Sequence, residues 1–250
     1  MESIPVKTET EIRIMEEGGR ILAKIIKQLG EMVKPGITTK QLNKAAEDLV
    51  FKYGAKPSFK NYLGFPAVLC VSLNEEIVHG LPSERKIRKG DVVSLDLGIL
   101  YNGFHTDMAV TIPVEVNDKK ILELIKVTKE SLKRAVKKAI PGNTFGDIAY
   151  EVQSYIESRG FNVVRELCGH GIGRAIHEEP QVLNYGRKRS GEKIREGMIF
   201  CIEPMAAIGD WRIKKAKDGY GYETKDGSIS AHFEHTIAVT RQGPKILTEI

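Results

Sequence analysis

The stretch 94–112, SLDLGILYNGFHTDMAVTI, decides how this chain folds. Val92, Val93, Leu95, Leu97 and Ile99 predict a strand, Asn102-Gly103 a two-residue turn, and Met108 to Ile112 the returning strand. Aspartate is depleted in strands, and a buried carboxylate without a partner is expensive. Asp96 and Asp107 nevertheless both sit inside this hairpin. With Asn102 and Gly103 as the turn, Tyr101 pairs with Phe104 and paired numbers sum to 205, so Asp107 lies opposite Gly98. The two aspartates are then diagonal neighbours on one face, about 7–8 Å apart at the backbone. Two like charges this close on a buried face are unfavourable unless a cation lies between them, and a metal site is the simplest resolution.

Working outward, the chain repeats itself. PGITTKQLNKAAEDLVFKYGA from Pro35 matches PGNTFGDIAYEVQSYIESRGF from Pro141 at a gapless offset of 106. Each copy predicts a turn, a Thr cap, an amphipathic helix and a Gly stop; Thr38 and Gln41 form a capping-box pattern, and Leu42, Ala45, Ala46, Leu49 and Val50 supply a buried stripe. Downstream, IRKGDVVSLD (87–96) aligns with IREGMIFCIE (194–203), which sets Glu203 where Asp96 stands. TDMAVTI and FEHTIAVT likewise set Glu234 near Asp107, and His79 of HGLP corresponds to His177 of HEEP. The expected fold class is therefore α+β: a duplicated α/β unit with pseudo-twofold symmetry, its central antiparallel sheet covered by helices. The repeats span approximately 9–113 and 118–241 of one catalytic domain, 1–250. Packed about an approximate twofold axis, the two halves would bring both acidic pairs to one cleft.

Composition excludes several other classes. At 41% hydrophobic and 28% charged, the 250 residues suit an ordinary globular protein with a sizeable core, and no apolar run reaches membrane-spanning length. The start of the chain lacks the charged-then-apolar order of a signal peptide, and Cys70, Cys168 and Cys201 are too few and scattered for a disulfide framework. A cytoplasmic protein is expected, a monomer by default, without membrane contact or specific nucleic-acid recognition. The charge of +5 comes partly from residues 118–140, where Ile121, Ile125, Thr128, Leu132, Ala135, Val136 and Ala139 mark a helical stripe and lysines fill the rest. A solvated helix face is the preferred reading, over a weak attraction to an anionic surface such as a ribosome.

The second half adds the segment CGHGIGRAIHEEP (168–180), with His170 and His177. A lone histidine near glycines is more often structural than a ligand, but four converging carboxylates shift that balance. Four negative charges match two divalent cations, and one neutral imidazole leaves room for a bridging water. Oxygen ligands with a nitrogen suit Mn, Fe, Co or Zn better than Ca. Two such ions about 3.5–4 Å apart would lower the pKa of a shared water and polarise a carbonyl, so hydrolysis is the expected reaction class.

HGLP, LDLGILYNGFHTDMA, GHGIGRAIHEEP, IEPM and EHTIAVT, in this order, resemble the motifs of type I methionine aminopeptidases. Those enzymes have the pita-bread fold shared with creatinase and proline-specific peptidases, and the resemblance covers essentially the whole chain. It implies removal of the N-terminal methionine from nascent proteins and peptides when the second residue is small. It also implies five ligands for two divalent ions: Asp96, Asp107, His170, Glu203 and Glu234. Asp107 and Glu234 would bridge both ions, Asp96 would complete one shell, and His170 and Glu203 the other. His79 and His177 would contact the scissile peptide, Glu203 would carry a proton to the leaving amine, and Tyr62, Phe65, Cys70 and Tyr220 would form the methionine pocket. Around that pocket the chain departs from familiar bacterial members with Ile176 in place of an aromatic, Phe59 in place of a small residue and Tyr220 in place of a Trp. Trp211 is expected to be structural or superficial.

Length sharpens the subtype. Only 33 residues separate His170 from Glu203 and 31 separate Glu203 from Glu234, too few for the helical insertion of type II enzymes. Proline-specific relatives share the ligands but carry a leading domain not expected before Glu9; a non-catalytic binding relative would have dropped ligands that are all present. The Met1-Glu2 bond is expected to resist the enzyme itself, because Glu is long and negatively charged.

Overall fold

Val92–Tyr101 and Phe104–Pro113 form an antiparallel hairpin in register from Tyr101↔Phe104 to Val92↔Pro113. Asn102 (φ +47°) and Gly103 (φ +85°) both adopt the left-handed backbone that a two-residue type I′ turn requires. Asp96 therefore lies opposite Ala109 and Asp107 opposite Gly98, the diagonal expected from the sequence. The computed structural model describes residues 4–250; Met1 to Ser3, and with them the Met1-Glu2 bond, lie outside the described residues.

This hairpin is one half of a nine-stranded sheet among the described residues. The other half is built on Ile199–Ile202 paired with Glu234–Thr240, and the halves join where Phe104–Pro113 pairs with Glu234–Thr240, with Glu234 opposite Ala109. Cys70–Leu73 flanks the first hairpin, and Cys168–Gly171 with Glu178–Leu183 flank the second pair. Asp96, Ala109 and Glu234 thus form one row across three strands, and Asp107, two residues from Ala109, shares their face.

Among the described residues four α-helices flank the sheet: α1 (Glu9–Met32), α2 (Thr39–Lys52), α3 (Lys119–Val136) and α4 (Phe145–Glu157). Strand alternation separates core from chemistry. Val93, Leu95, Leu97 and Ile99 turn toward Leu22, Ile25 and Leu29 of α1 and Leu42 and Val50 of α2, while Asp96 between them faces the other way. In the second half Phe200, Ile202 and Ile237 pack on Leu124, Leu132, Phe145, Ile148 and Val152 of α3 and α4. Each such side chain stabilises the fold by about 1.5–3 kcal/mol, which is what allows the opposite face to hold four acids. The stripe of α3 is broader than expected: Leu124, Val127 and Ser131 are buried as well, while Ile121 lies only half-buried at its edge.

The duplication extends to hydrogen bonds. Gly36 N donates to Ile87 O (2.9 Å) and Gly142 N to Ile194 O (3.1 Å); Ile87 N and Ile194 N donate back, to Ile37 O and Asn143 O, both at 2.8 Å. Capping boxes start α2 and α4, from Thr38 with Gln41 and from Thr144 with Asp147. No helix among the described residues is long and apolar enough to cross a membrane.

Candidate metal centre

The sheet brings the acids of the two halves together. Asp96, Asp107 and Glu234 each offer an oxygen, all three within 4.8 Å of one another; His170, Cys201 and Glu234 form a second such group, so Glu234 belongs to both. Glu203 closes the cluster, with Oε1 3.7 Å from His170 Nε2. Asp96 Oδ1 and Glu234 Oε1 are buried without a hydrogen-bond partner. Burial pushes all four carboxyls upward: Glu203 to about 8, Asp107 to about 7 with the charge of Glu203 adding, and Asp96 and Glu234 well above the usual carboxylate range, with neighbouring acids adding. A cation among them would reverse that order of forces and hold all four ionised.

His170 supplies the sharpest geometry. Its Nδ1 lies 2.9 Å from Gly171 O, and a carbonyl only accepts, so Nδ1 carries the proton. Nε2 then presents a lone pair to Glu203 (3.7 Å) and Glu234 (3.9 Å). Burial, then the neighbouring His177, pushes the ring down to about 3, so it stays neutral. At 3.7 and 3.9 Å neither carboxyl is close enough to hydrogen-bond to that lone pair, and once ionised both would repel it; with a divalent ion between them, all three are ligands of ordinary type. The residues therefore fit a divalent metal.

His177 stands over this centre, its ring 4.3 Å from that of His170, with Nδ1 2.8 Å from the Tyr62 hydroxyl. His79 sits on a left-handed backbone (φ +58°), uncommon for a non-glycine residue. It reaches solvent through the cleft mouth, yet packed protein on its other sides and the nearby His232 push it down to about 4. Phe65, Ala67 and Cys70 form an apolar cluster joined by Phe59, Leu81 and Tyr220, and Tyr220 meets Phe65 edge-on at 5.6 Å. The five expected ligands, His79 and His177, and Tyr62, Phe65, Cys70 and Tyr220 line one cavity of about 340 Å³, acidic at one end and aromatic at the other.

Residues 13–241 match metallopeptidase family M24. The chain belongs to that family. It is 45% identical to a methionine aminopeptidase of Clostridium perfringens over 99% of both chains. The crystal structure of methionine aminopeptidase from Thermotoga maritima superposes with a TM-score of 0.97 at 42% identity, covering 99% of this chain and 100% of that one. A prolidase from Pyrococcus furiosus superposes at 0.80 with 27% identity, and the match covers 98% of this chain but 65% of the prolidase.

Within this M24 site some neighbours were not legible in the sequence. Cys201 lies two residues before Glu203 on the same face, fully buried, with Sγ 3.5 Å from Thr236 Oγ1. Burial and the charge of Glu234 push its thiol well above the ordinary value, so it sits beneath the acids as a neutral thiol. Strand alternation from Glu203 was the signal that could have found it. His232 is buried with Nε2 3.5 Å from Glu203 Oε2 and neither ring nitrogen hydrogen-bonded; no local pattern marks it. Thr236 exchanges hydrogen bonds with the backbone of Asp107 (2.9 and 2.8 Å), and Asn184 donates to Glu203 O (2.9 Å). One expectation needs correction. Ile176, read as part of the pocket's departure from relatives, is 3% exposed and does not line the cavity; β-branched and apolar, it packs inward, and Phe59 takes the wall. Trp211 lies outside the cavity, flanked by the guanidinium groups of Arg165 and Arg212 at 5.0 and 5.2 Å.

Proposed function

We propose that this chain removes the N-terminal methionine from peptides and nascent chains whose second residue is small. Two divalent ions drawn from Mn, Fe, Co or Zn would be held by Asp96, Asp107, His170, Glu203 and Glu234. The lone pair of His170 directed at Glu203 and Glu234 carries the metal reading; Glu234 offers an oxygen within 4.8 Å both of Asp96 and Asp107 and of His170, which supports more than one ion in the cluster. Bound ions would supply Lewis acidity at a carbonyl and make water acidic enough to attack at neutral pH.

The chain's own groups supply the rest. Glu203, whose carboxylate stands beside His170 at the mouth of the acidic cluster, would take a proton from the attacking water and return it to the leaving amine. His177 Nδ1 and the Tyr62 hydroxyl share a hydrogen bond, and in the tautomer where Tyr62 donates, Nε2 of His177 carries the proton and would donate toward the peptide, with His79 a second donor lining the same cavity. Phe59, Phe65, Cys70 and Tyr220 offer an apolar, polarizable end for a methionine side chain, and four carboxylates leave little room for a long or acidic second residue. In this reading the enzyme is a cytoplasmic monomer, and the lysine face of α3 is a solvated surface rather than a ribosome-binding one.

The same fold serves proline-specific peptidases, so substrate decides. Metal-loaded protein should hydrolyse a Met-Ala peptide and leave an X-Pro dipeptide untouched, with two ions counted per chain. Turnover of the X-Pro substrate alone would replace this reading, and absence of either activity in metal-loaded protein would favour a non-catalytic binding protein.

A further inference from the structure

The N-terminal segment reaches the site through one largely buried ion pair. Val6 bridges to Met198, and Lys7 N donates to Gly197 O (2.8 Å), which carries the Lys7 side chain inward. That side chain is 5% exposed, and its ammonium contacts Glu178 Oε2. The other oxygen of Glu178 accepts from Ala175 N at 3.1 Å. Glu178 is the residue after His177, so one carboxylate closes the turn that presents that ring. Gly173, in the same turn, leaves the passage open: a Cβ there would stand 2.7 Å from Lys7 Nζ and 2.9 Å from Glu178 Oε1. From the far side the turn is held by His105 N, which donates to Gly173 O at 2.7 Å. Glu11 of α1 adds an exposed pair with Arg174 (2.9 Å), a weaker tie of the kind salt screens.

We propose that Lys7 is a positioning residue for the reaction: by neutralising Glu178 inside the protein it holds the 173–178 turn, and with it the ring of His177, over the acidic centre. The inference rests on the proposed role of His177. A largely buried carboxylate that loses its cation is driven toward solvent, and here that movement would carry its sequence neighbour along. Lys7 does not line the cavity and pairs with none of the five proposed ligands, so its removal should act on the rate and leave the ions in place. Misplacement of a donor by about 1 Å can cost on the order of 100-fold.

The test compares wild type, Lys7→Met, Lys7→Met/Glu178→Gln, Gly173→Ala and His177→Ala, each loaded with Mn(II), on one Met-Ala peptide. Lys7→Met should lower kcat by roughly 10–100-fold with metal content unchanged and KM moved by less than about threefold. The double variant should recover most of that loss, because no buried charge is then left unpaired; a purely structural contact would not be rescued by removing its second half. Gly173→Ala should reproduce the Lys7→Met loss without altering any charge, and it carries the test together with the double variant should Lys7→Met fail to fold. Wild-type kcat in Lys7→Met, or a loss that the double variant does not relieve, overturns the proposal. Wild-type kcat in His177→Ala would instead remove the role of His177, and this inference with it.

Discussion

Replacing Glu203 with Gln should stabilise the metal-free protein and destroy its activity. Without metal, burial holds Glu203 at about 8 in the folded state, against 4.5 when exposed. A carboxyl raised in this way favours the folded state fully below 4.5, and that contribution is lost as pH climbs from 4.5 to 8. Each pH unit in that window costs about 1.4 kcal/mol, so at pH 7 the wild-type apoprotein carries a penalty on the order of 3 kcal/mol. The amide is neutral in both states and escapes it. For a chain of this size that corresponds to a rise in Tm of roughly 6–12 °C in chelator at pH 7, larger at pH 8 and nearly absent at pH 5. Saturating Mn(II) should reverse the order, because wild type gains a charged ligand that the variant lacks, and kcat should fall about 10²–10⁴-fold with the proton carrier gone. Thermal melts in chelator and in Mn(II) at pH 5 and 8 decide it. A variant melting at or below wild type in chelator at pH 8, or showing the same increment at both pH values, refutes the reasoning.

Glu234→Ala should release metal and abolish turnover, since that carboxylate belongs to both ligand groups; two retained ions with near-normal turnover would contradict it. His177→Ala should cost about 10²–10³ in kcat with metal content intact, and loss of metal would move His177 into the ligand set. Tyr62→Phe removes one hydrogen bond to His177 and should lower kcat by about 2–10-fold, a change that steady-state kinetics on a Met-Ala peptide resolves. Cys201→Ala should leave metal affinity, measured by calorimetry, within about twofold, because four carboxylates and His170 already supply the donors; a larger loss would place the sulfur on a metal.

Most of the centre was legible because it lies in local patterns. The Asn102-Gly103 turn sets the first hairpin's register, register sets the Asp96–Asp107 diagonal, and the repeat maps both positions onto Glu203 and Glu234. Motif resemblance supplied His79, His170 and His177. The neighbours that were missed belong to long-range contacts. Thr236 grips Asp107 across 129 residues, His232 approaches Glu203 across a strand junction, and Lys7 meets Glu178 across 171.

What the sequence by itself determined, then, is each half: caps, turns, alternation and register depend on forces among residues a few positions apart, and those residues are fixed once the chain is written. Only the tertiary structure decided how the halves meet, which pairs Glu234 with Ala109, orphans Asp96 Oδ1 and Glu234 Oε1, turns the lone pair of His170 onto two acids, and buries Lys7 against Glu178. Those are matters of desolvation and charge in a common interior. They have no sequence signature, because an ion pair or an unpartnered oxygen is defined by what else has been packed around it.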